Sequence, residues 1–211
     1  MPATTASPLA SVTRLLLELG GEAESQLEKA IEALSKRDLK LAFEVISHNV
    51  RLEELHDRIK DESIDILSGD LDKTLVRENL AIVKAASHLK RIGEHAANIA
   101  KRLQTASGLL PVTPAAQLTR LGLLARQILS ECLDAYTRRD RKAAATASRH
   151  DREMDDLYSS LLQDLLQHIA ADRTHVAVGS EMLFIAKGLE RIGDHARSIA
   201  SVVPDLTGGG K

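Results

Sequence analysis

The chain has 211 residues, which is enough to bury the apolar core of one large domain or of two small ones. Its 28 basic and 30 acidic residues leave a formal net charge of −2, which gives no electrostatic basis for binding nucleic acid or an anionic membrane surface. A single cysteine excludes an intrachain disulfide and a thiolate metal cluster. Aromatic residues make up only 2%, and the abundance of Ala, Leu, Glu, Lys and Arg favours long packed helices.

The first half of the chain is predicted to form three helices. Apolar residues recur at helical spacing over about residues 13–36, after a polar lead. Asp38 follows the turn SKRD as an N-cap, because its carboxylate can accept hydrogen bonds from the free N–H groups that begin a helix running to about residue 67. The segment SGDLD ends that helix, and a third helix is predicted at about residues 73–104.

The second half of the chain repeats this order. The segment ASGLLPVTP, which contains one glycine and two prolines, is the clearest linker in the chain. Helices are then predicted at about residues 115–137, 141–171 and 174–203. Asp140 in TRRD stands where Asp38 stands in SKRD, so we expect the same cap at the second helix of each half.

A phrase of twelve residues shows that the chain is an internal duplication. LKRIGEHAANIA at 89–100 and LERIGDHARSIA at 189–200 are identical at eight of the twelve positions. The predicted fold class is therefore all-α, with two tandem, pseudo-symmetric three-helix bundles built from six long antiparallel helices. The predicted boundaries are a flexible lead at 1–12, a first repeat at 13–106, a linker at 107–114, a second repeat at 115–204 and a flexible tail at 205–211.

Several residues in and near the repeated phrase have a simple structural interpretation. Gly93 and Gly193 lie in mid-helix, where glycine costs about 1 kcal/mol relative to alanine, so we expect a neighbouring helix to pass close to each. His95 and His195 fall on the polar side of their helices, and we expect ordinary surface contacts from them. Cys132 lies among apolar residues and is expected to be a small buried side chain.

Two pairs of carboxylates in the second repeat are candidate metal ligands. Asp151 and Asp155 lie four residues apart on one predicted helix, and Glu190 and Asp194 have the same spacing on the last helix. Each pair therefore projects from one side of its helix. Four anions gathered between neighbouring helices repel one another, and a hard cation relieves that repulsion. Acidic pairs at this spacing are also common on solvated helix faces, so an ordinary surface is the alternative interpretation.

The whole pattern resembles one known family. LERIGDHARSIA and HLKRIGEHAANIAK each close a three-helix unit whose middle helix carries HDREMDDLY or HNVRLEELH, and in this the chain is similar to the PhoU family over about residues 12–204. The resemblance implies a negative regulator of phosphate uptake and phosphate-starvation signalling. It also implies contacts with the ATPase of a phosphate ABC transporter and with a membrane sensor kinase, a homodimer, and membrane association only through such partners.

The resemblance also implies where metal ions bind. Members of the family carry acidic motifs on the second and third helices of each repeat, and these are implicated in binding multivalent metal ions. The second repeat keeps both motifs, in the four carboxylates named above. In the first repeat the matching positions hold Asn49 with Glu53 and Lys90 with Glu94. A lysine replaces an anion by a cation, so a bound Mg, Mn, Fe or Zn ion is expected in the second repeat and a weak or absent site at Glu53 and Glu94.

No motif in the sequence indicates an enzyme. The terminal TGGGK lacks the spacing of a Walker A loop, and HExxH, GxSxG and GxGxxG are all absent. The sequence also has no run of about 18 apolar residues and no signal-peptide pattern, so a cytoplasmic location is expected.

Two alternatives come from other classes of protein. A di-iron carboxylate enzyme needs Glu-x-x-His motifs that face a helical core, and only Glu53 with His56 offers that spacing on a predicted core helix. An accessory protein of a phosphate permease, or a metal-independent helical scaffold, is the other alternative.

Overall fold

The computed structural model describes residues 7–69, 71–106, 112–147 and 150–206, and the regular structure within these ranges is helical. The all-α fold class is therefore confirmed. The helices are α1 (Ala10–Lys36), α2 (Leu39–Leu67), α3 (Lys73–Ala106), α4 (Val112–Thr137), α5 (Arg141–Ala147), α6 (His150–Ala171), α7 (Val176–Ser201) and α8 (Val203–Leu206), and a 3₁₀ turn at Arg173–His175 precedes α7.

The helices differ from the prediction mainly at their ends. Helix α1 begins at Ala10 and α4 at Val112, each three residues earlier than predicted. Pro114 lies inside the first turn of α4, which tolerates proline because its N–H groups have no partner within the helix. The single helix predicted over 141–171 is described as α5 and α6, and residues 148 and 149 between them lie outside the described part. Most of the predicted linker at 107–114 also lies outside it, and the domain boundaries stay a prediction.

The same turn precedes the second helix of each repeat. Arg37 and Arg139 adopt left-handed backbone conformations with φ of 55° and 53°. The N–H groups of Asp38 and Asp140 then donate to carbonyls five residues earlier, both at 2.9 Å. Each aspartate accepts hydrogen bonds from the second and third N–H groups of the helix that follows, at 2.8–3.1 Å, so both predicted N-caps are confirmed.

One apolar core runs through both repeats. Its central elements are the third helix of each repeat, α3 and α7, which pack extensively against each other, and α1 also contacts α4. Cys132 is buried in this core as predicted, and burial raises the pKa of its thiol to about 12. Within the described residues, no helix is both long enough and apolar enough to cross a membrane.

The two mid-helix glycines mark close helix crossings, as predicted. A Cβ atom on Gly93 of α3 would lie 2.3 Å from Leu52 Cδ2 of α2. A Cβ atom on Gly193 of α7 would lie 3.0 Å from Met154 Cε of α6. Leu52 and Met154 occupy corresponding positions in the two repeats, so the duplicated phrase closes both bundles through the same backbone approach.

Candidate functional site

The predicted ligands of the second repeat lie on α6 and α7. Glu190 points inward and its Oε2 atom lies 2.7 Å from Lys187 Nζ, while Asp194 forms an ion pair with Arg197. Asp155 is exposed on α6. The backbone of Asp151 belongs to α6, but its side chain lies outside the described part of the chain.

These side chains fit a cation in part. Glu190 Oε2 is buried and lies 2.7 Å from the ammonium of Lys187, so a hard cation bound there would have to displace that contact. Among the side chains that the structure describes, no three His, Cys, Asp or Glu residues form a group that could hold a metal ion. Because the side chain of Asp151 is outside that set, the site of four carboxylates stays a prediction.

The corresponding carboxylates of the first repeat already have partners. Glu53 accepts a hydrogen bond of 2.8 Å from the Asn49 amide. Glu94 lies 2.6 Å from Arg91 Nη1 and 3.6 Å from Lys90 Nζ. Cations therefore lie beside candidate carboxylates of both repeats, and a weaker metal site in the first repeat stays a prediction.

The di-iron alternative finds no support in the position of its ligands. Glu53 is exposed on α2, and His56 Nδ1 lies 3.2 Å from the carboxylate of the neighbouring Asp57. A di-iron centre in a helical bundle requires carboxylates that project into the core. This pair therefore does not supply one.

The prediction for the histidines was wrong. His195 of α7 packs against two histidines of α3 at the α3–α7 interface. Its Nδ1 atom lies 3.2 Å from His88 Nδ1, and its ring stacks on His95 with the ring centroids 5.6 Å apart. We call His88, His95 and His195 the histidine cluster. The spacing of His88 and His95, seven residues apart, places them on one side of α3, but their contact with His195 depends on the pairing of α3 with α7.

Burial favours the neutral form of all three imidazoles in the histidine cluster. Burial, together with the neighbouring His88 and His95, lowers the pKa of His195 to about 4. Burial also lowers the pKa values of His88 and His95. A neutral imidazole can donate from one ring nitrogen and accept at the other, so the close nitrogens of His88 and His195 suit a hydrogen bond across the interface.

Comparison with known proteins extends the resemblance to both repeats. The family model for the PhoU domain matches residues 16–103 and 118–203. A Xylella fastidiosa protein named phosphate-specific transport system accessory protein PhoU homolog is 33% identical over 195 residues, which cover 92% of this chain and 81% of the relative. A Caulobacter vibrioides protein of the same name is 33% identical over 203 residues, which cover 95% and 88%.

Solved structures agree with this assignment. The crystal structure of PhoU from Pseudomonas aeruginosa has a TM-score of 0.92 and 28% identity, covering 97% of this chain and 99% of that one. The phosphate transport system regulatory protein PhoU from Streptococcus pneumoniae, at 23% identity, shows the same fold with a TM-score of 0.87 and 96% coverage of both chains. These relatives are named as accessory or regulatory proteins and not as enzymes. The chain belongs to the PhoU family.

Proposed function

We propose that the protein is a negative regulator of phosphate uptake and of phosphate-starvation signalling. The observation that carries the proposal is the match to the PhoU family along both repeats, together with relatives that are named as accessory proteins of phosphate-specific transport. The absence of enzyme motifs from the sequence supports a role through binding.

The partners in this proposal are the ATPase of a phosphate ABC transporter and a membrane sensor kinase. The protein works on the cytoplasmic side as a homodimer and reaches the membrane through these partners. Long helices with dispersed charge support this role, because they offer extended faces for docking on other proteins.

The test is a comparison of cells with and without the gene in phosphate-rich medium. A signalling regulator predicts that phosphate-scavenging genes are transcribed in its absence and repressed again when the gene is restored. Intact repression with altered low-affinity uptake would instead favour the role of a permease accessory protein. Intact repression and unchanged uptake would overturn the proposal.

A metal ion in the second repeat is a separate part of the proposal. The oxygen ligands to Mg, Mn, Fe or Zn would come from four carboxylates, those of Glu190, Asp194, Asp155 and Asp151. The burial of the Glu190 Oε2 atom supports a metal ion at this position. A bound cation would neutralise these anions and hold α6 against α7.

Metal content of the purified protein tests this part. Glu190→Gln and Asp194→Asn should lower the metal content, whereas the matched variants Glu53→Gln and Glu94→Gln in the first repeat should leave it unchanged. The same content in all four variants and in the wild type would exclude the proposed site. Loss confined to the first-repeat variants would place the metal there instead.

A further inference from the structure

Because the chain is an internal duplication, the α3–α7 interface has two sides whose residues correspond to each other. Residues of α3 correspond to residues of α7 that are 100 positions later, as the two copies of the repeated phrase show. His95 therefore corresponds to His195, and His88 corresponds to Gly188. This exchange of a histidine for a glycine makes the two sides unequal.

On one side the imidazole of His88 occupies the interface and contacts His195, with 3.2 Å between their Nδ1 atoms. On the other side Gly188 has no side chain, and a Cβ atom there would lie 3.3 Å from Ile99 Cγ1 of α3. A cavity of about 390 Å³ lies beside Gly188 and His95. The glycine thus lets α3 and α7 pass closely at Ile99, and no imidazole corresponding to His88 lines the adjoining cavity.

The lining of this cavity is basic. Arg102 of α3 and Lys187 and Arg191 of α7 line it together with the His95 imidazole and the Asn98 amide. At the related positions of the other side, Arg102 is replaced by Val202 and Lys187 by Ser87. The related side also carries positive charge, with Lys84 in place of Phe184 and Arg91 in place of Arg191. What is specific to the side with the cavity is the combination of Arg102 and Lys187 with the ring of Phe184. We call this site the basic cavity.

Two of the three cations that line the basic cavity form ion pairs with more buried carboxylates. Glu181 lies 3.2 Å from Arg102 Nη1, and its side chain is 16% exposed against 43% for the arginine. Glu190 lies 2.7 Å from Lys187 Nζ, and its side chain is 15% exposed against 44% for the lysine. The acids thus lie deeper than the bases. Arg191 is exposed and makes no ion pair with any other residue in the described ranges, so its charge is uncompensated.

Phe184 adds a flat apolar wall to the basic cavity. Phe184 is 57% exposed, which is unusual for phenylalanine. The guanidinium of Arg102 lies over this ring, with Cζ 4.4 Å from the centroid. Stacking fixes the plane of the guanidinium, and a fixed guanidinium can present two parallel N–H groups to an oxyanion.

We propose that the basic cavity binds a small ligand that carries phosphate groups. Arg102, Lys187 and Arg191 supply the cationic donors, and Phe184 and Ile99 supply apolar contact for the remainder of the ligand. Inorganic phosphate and a phosphorylated nucleoside share this chemistry. They differ in whether Phe184 is used, because only the nucleoside has a ring to stack on it.

The test is calorimetric titration of the purified full chain with inorganic phosphate, with ATP and with adenosine. Arg191→Gln removes the uncompensated charge, and Gly188→His restores the residue found on the related side. Each should weaken the binding of the phosphate-bearing probe at least tenfold. The matched control is Arg91→Gln, which makes the same change of charge at the related position and does not line the basic cavity, and it should leave binding within about twofold.

The outcomes separate the sources of the ligand and the failure of the proposal. Binding of phosphate and ATP with equal affinity identifies an inorganic-phosphate site, and binding of ATP alone identifies a phosphorylated nucleoside. Binding of adenosine as tight as that of ATP would overturn the proposal, as would no binding of any probe at millimolar concentration. Equal losses in Arg91→Gln and Arg191→Gln would also overturn it, because they would indicate non-specific attraction. Binding is measured on isolated protein and does not depend on the regulatory function.

Discussion

The two helix crossings at Gly93 and Gly193 show how one duplicated backbone accepts two different sets of side chains. At Gly93 the neighbouring atom is Leu52 Cδ2, and the buried side chain beside it is the amide of Gln26. At Gly193 the neighbouring atom is Met154 Cε, and Ile128 takes the place of the glutamine. The repeated phrase therefore preserves the approach of the helices, while the chemistry around it has diverged.

The buried amide is the clearest part of this difference. Gln26 Nε2 donates to the carbonyl of Val45 at 3.2 Å and to that of Gly93 at 3.3 Å, so it joins all three helices of the first repeat. In the second repeat Ile128 is fully buried and makes apolar contact only. A buried amide requires partners that an apolar side chain does not, so the two crossings should lose different amounts of stability when these residues are exchanged.

The largest expected effect comes from placing an amide in the second crossing. Ile128→Gln removes buried apolar surface and leaves an amide among apolar neighbours, which should lower the free energy of unfolding by about 3 kcal/mol. Gln26→Leu should lower the free energy of unfolding by less than about 1.5 kcal/mol. The carbonyls of Val45 and Gly93 lose the amide donor, but they lie within helices, where carbonyls also accept backbone hydrogen bonds. Urea denaturation followed by circular dichroism measures both values. Equal costs would contradict the difference inferred between the crossings.

The glycines themselves should also differ in tolerance. Gly93→Ala forces the fully buried Leu52 to move and should cost about 2 kcal/mol. Gly193→Ala meets only the flexible end of Met154, and the helix propensity of alanine offsets the contact, so its effect should be within about 0.5 kcal/mol. The same denaturation experiment measures the pair. A cost for Gly193→Ala as large as that for Gly93→Ala would show that both crossings are equally tight.

Acid should weaken the interface where the two repeats meet. The pKa of His195 is about 4 in the folded protein, and the ordinary value is 6.5. Between these two pH values the unfolded chain therefore binds a proton that the folded chain does not. Stability from this group is complete above about pH 6.5 and falls as the pH drops towards 4, by about 1 kcal/mol after allowance for solvent screening. Arg91 and Arg191 also face His195 and act in the same direction.

Thermal unfolding of the wild type and of His195→Gln between pH 7 and pH 5 measures this contribution. Carboxylates elsewhere titrate in both proteins, so the informative quantity is the difference between their two pH slopes. The variant should lose less stability than the wild type on acidification. Identical slopes would mean that the histidine cluster does not titrate with folding.

The smallest expected difference is between the two N-caps, because Asp38 and Asp140 make the same hydrogen bonds in the two repeats. Asp38→Ala and Asp140→Ala each remove a carboxylate that accepts from two backbone N–H groups, and each should cost about 1 kcal/mol. The two values should agree within about 0.5 kcal/mol in chemical denaturation. A much larger loss at one cap would show that the two turns are not equivalent.

Local features of the fold were predictable from the sequence, and contacts between distant helices were not. The caps at Asp38 and Asp140 depend on a few neighbouring residues, and the close approach at Gly93 is indicated by a glycine in mid-helix. The histidine cluster escaped prediction because His88 and His195 are 107 residues apart and meet only when α3 packs on α7.

The surroundings of the predicted metal ligands are partly local. Spacing along one helix correctly indicates that Glu190 and Asp194 share a side of α7. Lys187 and Arg197, which pair with them, lie only three residues away, so these ion pairs were also open to prediction from spacing. The basic cavity was also not predicted, since it is formed by residues of α3 and α7 that are far apart in the sequence.

The two repeats share one fold, and we propose that the carboxylates of the second repeat carry the regulatory chemistry. The most direct measurement is transcription of a phosphate-scavenging gene in phosphate-rich medium, in cells whose own copy is deleted and replaced by a variant at equal protein level. Wild type and the double variant Glu53→Gln/Glu94→Gln should restore repression, and Glu190→Gln/Asp194→Asn should fail to restore it. Full repression by Glu190→Gln/Asp194→Asn would contradict the claim.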